Sequence, residues 1–429
     1  MSAELSQSPG TPGGGPLSAA DVDSAAKRIA GVVTPTPLQF NDRLSATTGA
    51  SVYLKREDLQ TVRSYKLRGA YNLLVQLSDA EIAAGVVCSS AGNHAQGFAY
   101  ACRSLGIHGR VYVPAKTPKQ KRDRIRYHGG DFIELIVGGS TYDMAAEAAL
   151  ADVARTGATL VPPFDDPRTI AGQGTIAVEL LDQLDEEPDL VVVPVGGGGC
   201  IAGITSYLAE RTTNTSVLGV EPAGAAAMMA ALANGGPVTL DHVDQFVDGA
   251  AVNRAGKLTY AALAAAGDMV SITMVDEGAV CTAMLDLYQN EGIIAEPAGA
   301  LAVAGLLEAD VEPDTTVVCL VSGGNNDVSR YGEVLERSLV HLGLKHYFLV
   351  DFPQEPGALR RFLDEVLGPN DDITLFEYVK RNNRETGEAL VGIELGSAAD
   401  YEGLLQRMRA TEMQIETIEP GSAAYRYLL

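Results

Sequence analysis

Lys66 sits in Ser64-Tyr65-Lys66-Leu67-Arg68-Gly69-Ala70, a run with the apolar spacing of an amphipathic helix. Most lysines are solvated surface charges, and Lys116, Lys119 and Lys121, crowded among Arg122, Arg124 and Arg126, read that way. Lys66 instead falls among Leu67, Ala70 and Tyr71. Burial there lowers the pKa of an amine and frees its lone pair. A free amine can form a Schiff base with an aldehyde cofactor.

Three loops carry complementary chemistry. Gly196, Gly197, Gly198 and Gly199, followed by Cys200, lie between the apolar run Leu190–Val195 and a helix-compatible stretch, Ile201–Arg211. Consecutive glycines let successive N–H groups converge on an anion at a helix N-terminus, and a phosphate is the natural ligand. The same loop also fits a dinucleotide fingerprint, Gly197-x-Gly199-x-x-Ala202, with Glu221 about 20 residues on, where a ribose-binding acid would sit. Taken alone, this loop leaves a nicotinamide-dependent dehydrogenase open. Ser89-Ser90-Ala91-Gly92-Asn93-His94 offers N–H groups suited to a carboxylate and an Asn93 amide that can hold a phenolic or carbonyl oxygen. An Asn cap with a structural histidine is the alternative for that loop. Ser322-Gly323-Gly324-Asn325-Asn326, a third such strand-to-helix loop, follows the run Val317–Val321, and Ser322 alone reads equally as a helix cap.

Elements that would hold these loops alternate along residues 19–330. Candidate strands are Gly85–Ser89, Arg110–Val113, Phe132–Val137, Leu190–Val195, Val217–Val220 and Val317–Val321; candidate helices include Gln96–Leu105, Thr141–Arg155 and Thr175–Leu184. Apolar runs without strict alternation mark strands buried on both faces, so the class is α/β with parallel-rich sheets. After residues 331–345, read as a connecting segment, the pattern becomes βαββαβ. It comprises His346–Phe352, a helix Ala358–Leu367, strands Ile373–Arg381 and Leu390–Leu395 around a turn at Glu385–Glu388, a helix Ala399–Ala410 and a strand Gln414–Ile418. That is a ferredoxin-like order over residues 346–420, followed by a tail, 421–429.

Composition narrows the classes. The chain carries 32 Lys+Arg against 55 Asp+Glu, a net charge of −23, which argues against nucleic-acid or anionic-membrane binding. No apolar run approaches the roughly 20 residues of a membrane span. Five scattered cysteines without C-x-x-C spacing fit a reducing compartment rather than a disulfide framework. Residues 1–18, rich in Ser, Pro and Gly, read as a disordered lead-in without a signal sequence, so a cytoplasmic location is expected.

Together, Ser64-x-Lys66-x-Arg68-Gly69-Ala70, Ser90-Ala91-Gly92-Asn93-His94, Gly196 to Gly199 and Ser322-Gly323-Gly324 resemble the fold-type II pyridoxal-phosphate enzymes, and within them the threonine dehydratases. The dinucleotide reading explains only one of these four motifs. The resemblance runs from about Val33-Thr34-Pro35-Thr36-Pro37-Leu38 to the last strand, with a small subdomain nested at about residues 65–165. It implies pyridoxal 5′-phosphate as cofactor, Lys66 as Schiff-base lysine and α-proton base, and Gly196–Gly199 with Cys200 around the phosphate. It also implies Asn93 at the cofactor's 3′ oxygen, Ser322 at the ring nitrogen, and Ser90, Ala91, Gly92, Asn93 and His94 presenting N–H groups to the substrate carboxylate. L-Threonine is the implied substrate and L-serine a secondary one, deaminated through loss of the β-hydroxyl.

Departures from relatives sharpen the expectation. Where serine racemases carry a second serine beside Gly-Asn-His stands Ala91, which favours elimination over reprotonation. A Glu-x-x-x-Ala-x-Asp metal pattern in relatives is here Glu221, Ala225 and Ala227, so no metal is expected. The C-terminal unit resembles the ACT-like regulatory domain of biosynthetic threonine dehydratases, in a single copy. That implies inhibition by isoleucine, opposed by valine, in a homotetramer. A catabolic serine/threonine dehydratase, a threonine synthase and a non-catalytic amino-acid sensor built on the C-terminal unit remain the alternatives at this point.

Overall fold

The structure, a computed structural model, describes residues 17–378 and 385–428. Almost all of the expected lead-in, and the end of the expected strand Ile373–Arg381, fall outside the described residues. Two compact units emerge. One comprises residues up to Val275 together with Ile294–Asn325; the other comprises Asp276–Ile293 and Asn326 onward.

The first unit contains strands β1 (Leu38–Phe40), β2 (Ser51–Arg56), β3 (Val86–Ser89), β4 (Gly109–Val113), β5 (Ile133–Val137), β6 (Thr159–Leu160), β7 (Leu190–Pro194), β8 (Ser216–Pro222), β9 (Val270–Val275) and β10 (Thr316–Val321). They form a six-stranded sheet in the order β1-β2-β10-β7-β8-β9 and a four-stranded sheet in the order β5-β4-β3-β6. Every pairing is parallel except that of β1 with β2. The central strands β3, β7 and β10 are buried almost throughout, as their unbroken Val/Cys/Leu runs require. Edge strands β5 and β9 are partly exposed. One apolar core packs the large sheet against the helices Pro167–Gln183 and Gly199–Arg211, and a second packs the small sheet against Lys66–Leu74 and Asn93–Leu105.

The second unit is built on β11 (Lys345–Pro353), β12 (Asp372–Tyr378), β13 (Thr386–Glu394) and β14 (Gln414–Ile418), all antiparallel in the order β12-β13-β11-β14. With the helices Ala358–Val366 and Tyr401–Ala410 this is the ferredoxin-like arrangement. Two local expectations are revised. Thr386, Gly387 and Glu388, placed in a turn by their composition, extend β13 because each pairs with β11. Residues 331–345, read as a connection, contain the helix Tyr331–His341, whose Ser338 hydroxyl lies 2.9 Å from that of Thr282 on the helix Glu277–Glu291.

Candidate functional site

Lys66 opens its helix at the end of a segment stitched to the loop after β10. Tyr65 N–H donates to the Ser322 carbonyl at 3.2 Å, Gly324 N–H donates to the Arg63 carbonyl at 2.9 Å, and Ser64 bridges Gly323. The motifs at 64–70 and 322–324, more than half the chain apart, are thereby one structure. Residues Leu67–Leu74 are all buried, which fixes the helix that begins with the lysine.

The register of that helix is set by charge. Arg68, fully buried, grips Glu57 with two nitrogens, at 2.7 and 2.9 Å, and Glu179 with a third at 2.7 Å. Lys55, equally buried, holds Glu179 at 2.6 Å and the Thr36 carbonyl at 2.7 Å. Two cations and two carboxylates balance. Burial raises the Glu57 carboxyl, but the Arg68 guanidinium outweighs it and holds Glu57 below its ordinary range. Each ion in such a network is costly to leave unpaired, so the forked contacts lock the helix carrying Lys66 to β2 and to Pro167–Gln183.

Lys66 Nζ donates to the Pro163 carbonyl at 3.2 Å and lies 5.0 Å from the centre of the Tyr65 ring. Burial pushes its ammonium down to about 8, while Cys200 and Glu296 pull it the other way. The amine thus sits within electrostatic reach of both Cys200, at the end of the glycine loop, and Glu296.

At the glycine loop the backbone N–H groups of Gly196 through Ile201 donate to no protein acceptor among the described residues. Gly198, at φ +89°, is the N-cap of the helix Gly199–Arg211, and a Cβ there would come within 2.4 Å of Met228. Only glycine suits both the left-handed backbone and that contact. A concave row of unspent N–H groups at a helix N-terminus fits a phosphate. With a lysine of lowered pKa beside it, the site fits an aldehyde-bearing phosphate ester such as pyridoxal phosphate.

Asn93 begins the helix Asn93–Leu105, with Gly92 as its N-cap. Its Oδ1 accepts from Asn325 Nδ2 at 2.7 Å, and its Nδ2 donates to the Glu296 carboxylate. Gly92 N–H donates to Ser90 Oγ at 3.3 Å, whereas the N–H groups of Ala91, Asn93 and His94 meet no protein acceptor among the described residues. The His94 ring is buried and pairs through Nε2 with the Val161 carbonyl at 2.8 Å; burial pushes it down to about 4, so it is neutral and structural. Its Nδ1 is buried without a hydrogen-bond partner among the described residues. Ser322 is buried, its Oγ donating to the Ala298 carbonyl at 3.1 Å.

Glu221 answers the dinucleotide alternative. Its carboxylate accepts the N–H groups of Met228 at 2.7 Å and Met229 at 2.8 Å, with Ala227 as a further donor. Both oxygens serve the helix Ala227–Ala233, and the residue is fully buried, so neither addresses a ribose.

Sequence reasoning passed over Glu296, Lys55, Glu57 and Glu179. For Glu296, Lys55 and Glu179 the one local signal is a charge beside apolar residues, as in Glu296-Pro297-Ala298 or Val52-Tyr53-Leu54-Lys55; Glu57, in the charged run Lys55-Arg56-Glu57-Asp58, has none. Such a signal shows that a partner must exist, not where.

The family described as pyridoxal-phosphate dependent enzyme matches residues 29–323, and the C-terminal regulatory domain of threonine dehydratase matches residues 336–428. The biosynthetic L-threonine dehydratase of Mycobacterium tuberculosis is 88% identical over 429 residues, covering all of both chains; that of Mycobacterium leprae is 84% identical over the same span. The processed form of threonine deaminase isoform 2 from Solanum lycopersicum superposes with a TM-score of 0.71 at 38% identity, over 75% of this chain and 87% of that one. Lysine, glycine loop, asparagine and serine thus meet in a chain that belongs to the pyridoxal-phosphate dependent enzymes and, among them, to the biosynthetic L-threonine dehydratases.

Proposed function

We propose that this protein deaminates L-threonine to 2-oxobutanoate and ammonia, the entry reaction of isoleucine synthesis, with pyridoxal phosphate as cofactor. The observation that supports the reading is a buried Lys66 within electrostatic reach of both Cys200, beside the unspent N–H groups of Gly196–Ile201, and Glu296, which pairs with Asn93. Bound there, pyridoxal phosphate supplies an electron sink for the charge left at the substrate α-carbon.

Each residue then has a task that its surroundings support. The amine of Lys66, whose pKa burial lowers to about 8, would bind the cofactor aldehyde and serve as the acceptor of the substrate α-proton. The N–H groups from Gly196 to Cys200, which donate to no protein acceptor among the described residues, would hold the phosphate. Asn93 Nδ2 has a second N–H for the cofactor's 3′ oxygen. Ser322 Oγ, which donates to the Ala298 carbonyl here, would be the hydroxyl facing the ring nitrogen. A neutral hydroxyl there, unlike a carboxylate, does not enforce a protonated ring, which suits direct loss of the β-hydroxyl. The free N–H groups of Ala91, Asn93 and His94 receive the substrate carboxylate at the start of a helix. Ala91 has no hydroxyl to return a proton to the α-carbon, so departure of water prevails over racemisation. Hydrolysis of the resulting enamine restores that water and yields the 2-oxo acid and ammonia.

The C-terminal unit supports control of this reaction by isoleucine. Opposition by valine, a homotetrameric assembly, secondary use of L-serine and a cytoplasmic location complete the proposal. No helix among the described residues is long and apolar enough to cross a membrane. The test is direct: the purified protein should be yellow, bleach with borohydride, and release equal amounts of 2-oxobutanoate and ammonia from L-threonine. A colourless protein that leaves threonine intact would overturn the reading.

A further inference from the structure

Glu296 precedes the helix Pro297–Glu308 in the N-cap position, yet its side chain makes no capping bond to that helix. Instead the buried carboxylate reaches across to Asn93 Nδ2 and takes the backbone N–H of Asn325. The backbone around it is shaped to admit this reach. Glu296 N–H donates to the Gly323 carbonyl at 3.1 Å, and a Cβ on Gly323 would fall 2.3 Å from Glu296 Oε1. The glycine after Ser322 thus makes room for the carboxylate.

The two ends of the Asn93 amide are consequently held by groups of opposite character. Its oxygen receives an N–H from Asn325, whose Nδ2 also donates to the Val62 carbonyl at 2.8 Å. Its nitrogen gives one N–H to a carboxylate. Turning the amide over would set oxygen against carboxylate and N–H against N–H, so the orientation is fixed and one N–H of Nδ2 remains to donate. From this geometry, and resting on the cofactor reading above, we infer that Glu296 is a positioning residue that acts through Asn93, holding the remaining amide N–H on the 3′ oxygen of pyridoxal phosphate.

A residue that merely supported the fold would not act through one amide, and a double-substitution cycle on the holoenzyme separates the two roles. Asn93→Ala and Glu296→Ala are each expected to move the visible absorption band in the same sense and to weaken pyridoxal-phosphate binding about tenfold, the value of one hydrogen bond to a charged group. The double variant should show the same band and the same tenfold loss, not their product. Glu296→Gln retains an oxygen able to accept the Asn93 N–H and should return the band close to its original position. Multiplicative losses in the double variant, or an unmoved band in Glu296→Ala, would overturn the inference. If Glu296→Ala does not accumulate as folded holoenzyme, Glu296→Asp, which withdraws the carboxylate by one methylene, enters the cycle under the same two outcomes. Borohydride fixation keeps this test apart from the cofactor reading. Multiplicative losses with the pyridoxyl group on Lys66 remove only the role of Glu296, whereas no pyridoxyl group in the unaltered enzyme removes the cofactor reading itself.

Discussion

The interior beneath the Lys66 helix and the interior of the β11–β14 sheet are made of opposite materials. The first buries Lys55, Glu57, Arg68 and Glu296. The second packs Phe348, Phe352, Phe362, Val391, Ile393 and Leu404 in an apolar core; buried polar side chains in the C-terminal unit include Ser338, on a helix outside the sheet, and the Asp371 carboxylate paired with Arg407. Buried ion pairs add little net stability against an apolar equivalent, but they penalise misregister heavily. Apolar packing stabilises without such strict geometry. A unit that must hold an amine, an amide and a hydroxyl around one small ring benefits from the first. A unit whose purpose is to respond to a ligand is well served by the second.

The largest effect should come from the amine itself. Lys66→Ala is expected to lower threonine turnover at least about a thousandfold, by removal of both the Schiff-base link and the proton acceptor. Mass spectrometry after borohydride treatment should place the pyridoxyl group of the unaltered enzyme on Lys66. A label on any other lysine would end the assignment, and with it the reason for the charged interior.

The charged interior can be broken next. Arg68→Met leaves Glu57 and Glu179 without their common partner and should destabilise the first unit by about 3–5 kcal/mol. Adding Glu57→Gln should recover part of that loss. Phe362→Ala, at the centre of the apolar core, should cost a similar 3–5 kcal/mol but leave the Lys66 absorbance in place. Urea unfolding followed at the cofactor band and by far-ultraviolet dichroism separates the two. If Arg68→Met unfolds with an unchanged midpoint, the network does not secure the helix.

Those same materials decide what was legible in the sequence. β3, β7 and β10 could be read because strands buried on both faces are unbroken apolar runs. β1 and β9 lie at sheet edges, where exposure dilutes the pattern, and β6 is two residues long. The four motifs proposed to surround the cofactor stood out because each has unusual local chemistry, such as four consecutive glycines or an asparagine at a helix start. The Glu296–Asn93–Asn325 chain was not. Asn93 and Asn325 are 232 positions apart, and pairing across the fold leaves no local trace. The connection expected over 331–345 failed for a similar reason. Tyr331–His341 owes its place to contacts with Glu277–Glu291, which only the fold brings near.

That helix also dictates how control should be tested. A cut near residue 335 would divide it and remove Ser338 from Thr282. A cut after Leu344 keeps the helix whole and removes the ferredoxin-like sheet. The shortened enzyme should retain its cofactor and catalysis, since the cofactor motifs end before it. It should lose an isoleucine effect of about 5–150-fold on the threonine requirement, the range of common allosteric couplings. Initial rates against threonine, with and without isoleucine, read this directly. Undiminished inhibition after the cut would place the isoleucine site elsewhere.

The smallest effect concerns pH, and it compares Lys66 with the lysines on the surface. Burial is the main cause of its lowered pKa, to about 8 from 10.5. Only the neutral amine attacks an aldehyde, so capture of pyridoxal phosphate by the apoprotein should rise about tenfold per pH unit below that value and level off above it. Surface lysines, ordinarily near 10.4, should still be gaining at that point. Glu296 opposes the trend. Burial and the nearby Asp248 push its carboxyl up to about 7, so it ionises just before Lys66 releases its proton, and its charge helps Lys66 keep it. Glu296→Gln removes that charge and should move the Lys66 midpoint downward by less than about one unit. Borohydride trapping after short exposure to the cofactor, with peptide mapping across pH 6 to 10, measures both midpoints. A Lys66 midpoint near 10 would mean that the amine is as well solvated as any surface lysine, and that its burial does not prepare it for the aldehyde.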